Sequence, residues 1–445
     1  MKFRFSLLMA LCLSGALVHA ETLSSAVRSD YDAYLADLWD HLHRNPELSL
    51  AETETAARMA QELRQLGFDV HESVGGTGVV ALMKNGDGPL VMMRADMDGL
   101  PIKEASGLPN ASTKQQLDPV SGKTSHTMHA CGHDVHMTSL IGAARQMVQR
   151  NSEWRGTLML LLQPAEERGM GARMMREDKI WERFGTPDYA LAFHVKTGYL
   201  AGTVNLVPAP WAGVDSVDLI VHGVGGHGAY PHQSKDPVVI GSQIVLALQT
   251  LVSREIAPTE AAVVTVGSFQ AGIKHNIIPD KATLLLTVRN KNPEVREQLL
   301  AGIERIATNT ARAAGVPEDR LPEMIVRDER VPPTINDAAL MARVQGAWSG
   351  AFAAERLTAI EESGMGGEDF PYFSNDPAIP SVYWIVGGTP ADDLQAAANG
   401  GAAVPPHHSP TFKVDPESSI RAGIESTVVA LLELLQSSSA WSPNS

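Results

Sequence analysis

The segment His129-Ala130-Cys131-Gly132-His133-Asp134-Val135-His136 places three histidines, a cysteine and an aspartate within eight residues. Thiolate and imidazole are ligands that borderline divalent metals prefer. Gly132 allows a tight turn, because it has no Cβ to clash with its neighbours. Apolar residues then repeat at helical spacing, which predicts a helix over 134–150 with Asp134 as its N-cap. The alternative is a buried structural cysteine beside histidines that cap a helix.

Buried-strand patterns flank this segment. Short apolar runs over 90–95, 157–162 and 189–195 are typical of strands inside a sheet, and helical patterns separate them. Strands that alternate with helices predict an α/β fold with a mixed, largely parallel sheet. Ligands bind such sheets beyond the carboxyl ends of the strands.

The pattern changes near residue 211. The order strand, helix, strand, strand, helix, strand predicts an inserted ferredoxin-like α+β domain over 211–328, with elements at 214–221, 237–251, 261–269, 281–289, 293–314 and 323–327. We therefore expect one domain formed by 21–210 and 329–445, which the inserted domain interrupts.

Residues 1–20 predict a secretory signal peptide, with Lys2 and Arg4 before an apolar run and the small-residue site Val18-His19-Ala20. The run is short for a membrane span, although an uncleaved N-terminal anchor is the alternative. We expect a periplasmic or secreted protein without a stable membrane anchor after cleavage. Of the two cysteines, only Cys131 would remain, and ligation to a metal would shield this lone thiol from oxidation.

The charge balance limits the partners. The 445 residues carry a formal net charge of −15. An acidic surface disfavours nucleic acid and anionic lipid as partners, because both are negatively charged.

Acidic pairs follow two of the predicted strands. Asp96 and Asp98 come after strand 90–95, and alternation along an extended chain points both carboxylates to one side. Glu166 and Glu167 come after strand 157–162. Adjacent carboxylates repel each other, and a metal would resolve this with one as ligand and the other as general base. The alternatives are turn-forming aspartates and an acidic helix N-terminus.

Further histidines complete the pattern. His194 is predicted to end the strand 189–195, and His407-His408-Ser409-Pro410 lies near the C-terminus. Each could be a surface residue. Because acidic or imidazole groups end three successive strand-like runs around the His/Cys segment, together they indicate a metal site.

In combination, the motifs resemble the metal-dependent amidohydrolases that include hippurate hydrolases, N-acyl-amino-acid amidohydrolases and plant auxin-conjugate hydrolases, which are relatives of carboxypeptidase-G and aminoacylase enzymes. The resemblance covers nearly the whole mature chain. It rests on the segment 129–136 and on His43-Arg44-Asn45-Pro46-Glu47-Leu48-Ser49, Arg94-Ala95-Asp96-Met97-Asp98-Gly99-Leu100-Pro101, Gln163-Pro164-Ala165-Glu166-Glu167, Gly226-His227 with Pro231-His232, His275-Asn276-Ile277-Ile278-Pro279-Asp280, Gly367-Glu368-Asp369-Phe370 and His408-Ser409-Pro410.

This resemblance implies a centre of two divalent metal ions per subunit, with Zn²⁺ or Mn²⁺ favoured and Co²⁺ or Ni²⁺ as alternatives. The implied metal ligands are Cys131 (bridging), His133, Glu167, His194 and His408. Glu166 would be the general base, and Asp98 would orient a ligand. The doublet His407-His408 leaves the last ligand open, and His408 is preferred because it directly precedes Ser409-Pro410.

The resemblance also assigns residues in the inserted domain, which would serve as a dimerisation or lid domain. His227 would reach the site of a neighbouring subunit and stabilise the oxyanion. Asn276 and Arg289 would hold the carboxylate of the substrate, and the planar guanidinium of Arg289 suits that role. The implied assembly is a homodimer.

The implied function is metal-dependent hydrolysis of the amide bond of N-acyl amino acids such as N-acetyl or N-benzoyl conjugates, by a metal-activated water with Glu166 as base. The alternative with the same chemistry is a dipeptidase or aminobenzoyl-glutamate-type carboxypeptidase. A cysteine hydrolase that uses Cys131, and a non-catalytic metal-storing or substrate-binding module, are the other classes. The stretch 103–128 has no periodicity and is interpreted as a long loop. This loop and the stretch 399–406 look longer than is usual, so substrate preference can differ from that of named relatives.

Overall fold

The computed structural model describes residues 23–360 and 364–435. The signal peptide expected over 1–20 lies outside the described residues. The chain divides into two compact units. Within the described residues, the first unit comprises 23–210, 336–360 and 372–435, and the second comprises Trp211–Ile335 and 364–371. The second unit thus extends past residue 328, where the sequence pattern ended.

The strands in chain order are β1 (Asp69–Val74), β2 (Gly78–Asn85), β3 (Leu90–Asp96), β4 (Gln115–Leu117), β5 (Thr124–His126), β6 (Gly156–Gln163), β7 (Tyr189–Leu200), β8 (Val204–Asn205), β9 (Gly213–His222), β10 (Gly226–His227), β11 (Ala262–Ala271), β12 (Ile277–Ile278), β13 (Lys281–Asn290), β14 (Glu323–Val331), β15 (Leu357–Thr358) and β16 (Ser381–Thr389).

The helices in chain order are α1 (23–44), α2 (Thr53–Gln65), α3 (His133–Gln149), α4 (Gly171–Glu177), α5 (Ile180–Phe184), α6 (Pro237–Thr250), α7 (Pro293–Ala313), α8 (Ala338–Ala351), α9 (Pro371–Ser374), α10 (Ala391–Ala398) and α11 (Pro416–Leu434). A π-helical turn interrupts α1 at Tyr31–Leu35, and another continues α6 over Leu251–Glu255.

The first unit contains an eight-stranded sheet in the order β1-β2-β6-β3-β7-β16-β8-β15. Its four central strands, β6, β3, β7 and β16, are parallel to one another, and β1, β2 and β8 add antiparallel pairs. The prediction of an α/β fold with a mixed, largely parallel sheet is confirmed. Because the central strands run in one direction, β3 and β6 end at the same edge, at Asp96 and Gln163.

Helix α3 lies in the core of this unit. The sequence predicted that Asp134 caps it, but the helix begins at His133, directly after Gly132. Nearly every residue of α3 is buried, since α11 and strands β3 and β7 pack against it. A Cβ at Gly142 would lie 2.3 Å from Ile424 Cδ1, so the small residue permits the close approach of α11.

Two other predictions about this unit are corrected. The stretch 103–128 is not simply a loop, because it contains the antiparallel hairpin β4–β5. His194 does not end its strand, since β7 continues to Leu200 and pairs there with β16 at Thr389. Strand β16 extends beyond the position opposite His194, so β7 continues to pair with it after that residue.

The second unit contains a four-stranded antiparallel sheet in the order β11-β13-β9-β14. The elements follow along the chain as β9, α6, β11, β13, α7 and β14, and the apolar residues of both helices pack on the sheet. Among the described residues, one segment is long and apolar enough to cross a membrane by length and composition alone, Pro237–Glu255. Ile240, Ile244 and Leu248 of this segment belong to the core of the second unit.

Candidate metal centre

His133 lies at the centre of the candidate site, fully buried at the start of α3. The turn before it depends on Gly132, which has φ 85°. A Cβ at Gly132 would lie only 2.4 Å from Val195 Cγ1. The glycine therefore allows the chain to bring Cys131 and His133 together against β7.

Carboxylates surround the His133 ring. Asp98 Oδ1 lies 3.4 Å from Nδ1, and Asp96 Oδ2 lies 3.7 Å from Nε2. Glu166 Oε2 and Glu167 Oε1 are each 3.9 Å from Nε2. Burial alone would lower the pKa of His133, but Asp96 and Asp98 outweigh it and raise the pKa to about 10. The two acidic pairs found in the sequence thus converge on one histidine.

Glu166 and Glu167 begin the short 3-10 turn Glu166–Arg168. Two residues link this turn to the end of strand β6. The side-chain carboxylate of Asp98 fixes the backbone of this turn. Asp98 Oδ1 accepts a hydrogen bond from Glu166 N at 3.2 Å, and Oδ2 accepts from Glu167 N at 3.1 Å. Ser49 Oγ donates to Asp98 Oδ2 at 2.6 Å. Asp98 therefore contacts both the turn and His133.

Cys131 Sγ lies 3.4 Å from His194 Nε2. The other ring nitrogen, His194 Nδ1, lies 2.6 Å from the carbonyl oxygen of Val195. A carbonyl only accepts, so Nδ1 carries the proton and Nε2 presents its lone pair toward the cysteine. This tautomer is the one that a metal ligand at Nε2 requires.

His136, to which the sequence analysis assigned no role, is hydrogen-bonded to the backbone of strand β7. Val195 N donates to His136 Nε2 at 2.8 Å, so the His136 proton sits on Nδ1 and reaches Asp96 Oδ1 at 2.5 Å. Arg94 Nη1 donates to Asp96 Oδ2 at 2.6 Å. Both ring nitrogens of His136 are thereby engaged, and the network ties β3, α3 and β7 together.

The two C-terminal histidines differ in their contacts. His407 Nε2 accepts from Thr197 N at 3.2 Å, and its Nδ1 lies 3.5 Å from Cys131 Sγ. His408 Nε2 instead lies 3.2 Å from Glu167 Oε2. Both ring nitrogens of His407 therefore have partners within the protein, whereas His408 contacts the Glu167 carboxylate.

Two groups of candidate ligand atoms share the cysteine. One group is Cys131, His133 and His194, and the other is Cys131, Glu167 and His408, each with all ligand atoms within 4.8 Å of one another. Two groups joined by one sulfur match what two metal ions with a bridging ligand require. The ligand atoms of Asp96, His133 and His136 also lie within 4.8 Å of one another. However, Asp96 and His136 are already hydrogen-bonded to each other.

The residues fit divalent metals. Among the described residues, both ring nitrogens of His133 and Oε1 of Glu167 are buried without a hydrogen-bond partner. Such atoms are costly unless something binds them. Burial and the adjacent Glu167 and Glu166 raise the pKa of the Cys131 thiol well above its usual range. Burial, Asp98 and Asp96 raise the pKa of Glu167 to about 8, against the opposing effect of His133. A cation would relieve these carboxylate and thiolate charges.

The remaining residues of interest, His227, Asn276 and Arg289, all belong to the second unit. His227 is exposed on strand β10, which pairs with β12 directly after Asn276. Arg289 is partly buried on β13, and its Nη1 donates to Met365 O at 2.7 Å. The first unit by itself therefore holds the candidate metal ligands but not these three residues.

Sequence reasoning missed a second buried cluster beside the first. His43 Nδ1 lies 2.7 Å from Asp134 Oδ2, and its Nε2 lies 3.2 Å from Glu104 Oε1. His43 belongs to one of the quoted motifs, but nothing local indicates partners at positions 104 and 134.

The comparisons with known proteins agree with this geometry. Residues 92–428 match the model of peptidase family M20/M25/M40. The chain is 34% identical over 401 residues to N-acetyl-L-cysteine deacetylase of Bacillus subtilis, covering 88% of this chain and 86% of the relative. It is 36% identical over 334 residues to hippurate hydrolase of Campylobacter jejuni, covering 75% and 82% of the two chains.

A solved structure extends the agreement to the fold. The crystal structure of a dinuclear metal-binding peptidase of the M20 family from Bacillus subtilis superposes with a TM-score of 0.73 at 29% identity. The match covers 92% of this chain and 99% of the other. The suspected family is thus confirmed, and with it a hydrolase that acts on amide bonds: the chain belongs to peptidase family M20/M25/M40.

Proposed function

We propose that this protein hydrolyses the amide bond of N-acyl amino acids with two divalent metal ions. The observation that carries the proposal is the Cys131 sulfur shared by two groups of ligand atoms. The named activities of the deacetylase and hippurate hydrolase relatives support the same substrate class.

In this proposal Cys131 would contribute to holding both ions. His133 and His194 would complete one ligand group, and Glu167 and His408 would complete the other. His408 is preferred over His407, because His407 Nε2 uses its lone pair to accept from Thr197 N and its Nδ1 then carries the proton toward the cysteine, so neither nitrogen presents a lone pair to a metal. Zn²⁺ suits this mixture of sulfur, nitrogen and oxygen donors. Mn²⁺ is the other ion that we propose, and Co²⁺ and Ni²⁺ are alternatives, because affinity order alone does not set occupancy.

When bound, the ions would polarise the scissile carbonyl and lower the pKa of water. Glu166 is the general base in our proposal: it takes a proton from the attacking water and returns it to the leaving amine. Asp98 fixes the backbone of Glu166 and Glu167 through its two carboxylate oxygens. The Val195 carbonyl keeps His194 in the tautomer that places the proton on Nδ1 and a lone pair on Nε2, which a metal ligand at Nε2 requires.

Residues of the second unit would complete the reaction. We assign Asn276 and Arg289 to the substrate carboxylate, and His227 to the oxyanion at the site of a neighbouring subunit. The exposure of His227 supports a role toward another subunit. Ile273 and Ile277 of the second unit are exposed and line one surface hollow. Exposed apolar side chains that lie together are typical of interfaces, which supports a homodimer formed through this unit.

Export is part of the proposal, on the strength of residues 1–20 alone. The signal-like pattern predicts a periplasmic or secreted enzyme. Cell fractionation followed by N-terminal sequencing tests this. Protein confined to the cytoplasm would contradict export, and exported protein with an intact residue 1 would favour the uncleaved anchor.

A cysteine hydrolase is the weaker candidate. Its nucleophile would be a thiolate, but burial and neighbouring Glu167 and Glu166 favour the protonated thiol of Cys131 in the metal-free protein. The paired glutamates would also have no function in such an enzyme.

The test is hydrolysis of a panel of N-acetyl and N-benzoyl amino acids and unblocked dipeptides. The protein is assayed as purified, after chelation, and after addition of Zn²⁺ or Mn²⁺. We expect hydrolysis of N-acyl amino acids that chelation abolishes and one ion restores. Preference for unblocked dipeptides would favour the dipeptidase alternative, and activity that survives chelation would contradict the metal mechanism.

A further inference from the structure

Glu52 has no role in the site described so far, yet its side chain reaches the turn that carries Glu166 and Glu167. Glu52 is fully buried and occupies the N-cap position of α2, but its side chain makes no capping hydrogen bond to that helix. Its Oε1 accepts from Ala165 N at 2.8 Å and from Leu50 N at 3.0 Å. Its Oε2 accepts from Thr77 Oγ1 at 2.6 Å.

The residue that Glu52 contacts is conformationally strained. Ala165 has φ 48° and ψ 38°, the left-handed region that costs an alanine about 1 kcal/mol. The turn is also tightly enclosed, since a Cβ at Gly171 would lie 1.5 Å from Pro164 O. Surrounding contacts must therefore hold Ala165 in this conformation.

Three consecutive backbone amides of this turn donate to buried carboxylates. Ala165 N donates to Glu52, and Glu166 N and Glu167 N donate to the two oxygens of Asp98. Successive N–H groups in such a turn form a concavity that attracts anions. Here two separate side chains, from α2 and from the end of β3, fill that concavity.

Holding Glu52 there has an electrostatic cost. Burial and the nearby Asp98 raise the pKa of Glu52 to about 7. Its hydrogen-bond donors given above are all neutral: two backbone amides and one hydroxyl. A buried carboxylate whose hydrogen-bond donors are neutral gains less stability than an ion pair would give, which indicates a role other than stability.

We propose that Glu52 is a positioning residue that, with Asp98, fixes the backbone over 165–167 and thereby aims the Glu166 and Glu167 carboxylates. The proposal rests on the proposed function for the roles of those two glutamates. When both are ionised, Glu166 and Glu167 repel each other and would separate if the turn relaxed. A misplacement of about 1 Å in a reacting group costs up to about 100-fold in rate.

The experiment compares three variants. Glu52→Ala removes the acceptor of Ala165 N, and we expect kcat to fall by about 10- to 100-fold and Mn²⁺ affinity by about 10-fold, while KM changes little. Glu52→Gln keeps the acceptor oxygen and should restore kcat to within about threefold of wild type.

Glu62→Ala is the matched control. Glu62 lies on the same helix, is 5% exposed and accepts from Tyr34 Oη at 2.6 Å and Arg58 Nε at 2.8 Å. Its loss should lower the melting temperature without changing kcat or Mn²⁺ affinity. If Glu52→Ala does not fold, Glu52→Asp replaces it, because the shorter side chain keeps the charge but cannot reach Ala165 N.

Amide hydrogen exchange of the metal-free protein gives a readout that needs no activity. We expect faster exchange in the peptide covering 163–170 for Glu52→Ala, and wild-type exchange there for Glu62→Ala. Wild-type exchange in this peptide together with wild-type kcat in Glu52→Ala would overturn the proposal. If the wild-type protein hydrolyses no N-acyl amino acid, the proposed function fails, and the exchange experiment still decides the role of Glu52.

Discussion

Two buried clusters of histidine and carboxylate meet at the first turn of α3, and only one of them is satisfied by hydrogen bonds. His43 places each ring nitrogen on a carboxylate, Asp134 or Glu104. His133, one residue before Asp134, is surrounded by four carboxylates without a hydrogen bond to its ring among the described residues.

Charge alone does not distinguish the two clusters. Burial lowers the pKa of each histidine, but the carboxylates outweigh it and raise both pKa values to about 10. The difference lies in the geometry of the ring nitrogens. We call His43, Asp134 and Glu104 the closed cluster, because its ring nitrogens are hydrogen-bonded, and we interpret it as structural. We call His133 with its four carboxylates the open cluster. It needs a cation and is the candidate site.

The largest expected effect is on the open cluster. Glu166→Ala should lower kcat/KM by about 10² to 10⁴-fold, because it removes the general base but none of the proposed ligands. Turnover of an N-acyl amino acid and metal content by mass spectrometry check this. Glu177→Ala, an exposed acidic residue of α4, is the control and should behave as wild type. Wild-type turnover in Glu166→Ala would contradict the assignment of the base.

The next effect separates the clusters by metal affinity. His133→Gln should weaken Mn²⁺ binding by more than about 100-fold, since it removes a ligand rather than a residue that supports one. His43→Gln should leave the affinity nearly unchanged. Competition with a fluorescent chelator measures both. Equal losses in the two variants would show that the closed cluster also serves the metals.

Stability should respond in the closed cluster. His43→Gln leaves Asp134 and Glu104 buried without a cation, so we expect about 3 kcal/mol lower free energy of unfolding in the metal-free protein. Denaturant titration of wild type and variant gives the difference. Lys84→Gln, at an exposed position, is the control and should change little.

The smallest effect is on the pH dependence of that stability. The pKa of His43 is about 10 in the folded protein, above the value of about 6.5 in the unfolded chain. A raised folded pKa contributes stability that is fully present below about pH 6.5 and is lost as the pH rises toward 10. The advantage of wild type over His43→Gln should therefore shrink between these values. A constant difference in the denaturation midpoint would show that His43 is neutral in the folded protein.

Much of the open cluster could be predicted from the sequence. Asp96, Asp98, Glu166 and Glu167 follow apolar runs, and parallel strands end at one edge of a sheet, so the pattern alone brings them together. The motif resemblance supplied His408. The strand-end argument was wrong for His194, because a neighbouring strand extends its ladder to Leu200.

The supporting contacts could not be predicted in this way. Glu52 lies at a helix N-cap, where acidic residues are common for local reasons, and its partner Ala165 is far along the chain. Glu104 lies in a stretch without periodicity, and its pairing with His43 depends on the path of that stretch. Such contacts are set by tertiary packing, which a local pattern does not encode.

The position of His408 also has a consequence for folding kinetics. The backbone N–H of His408 donates to Ala130 O at 2.9 Å. The candidate ligand group Cys131, Glu167 and His408 therefore forms only when a C-terminal segment packs against residues from much earlier in the chain. Contacts of such high sequence separation form late, because the loop-closure entropy is lost first. Metal binding would then stabilise the native state after the main barrier, which slows unfolding and leaves the refolding rate nearly unchanged.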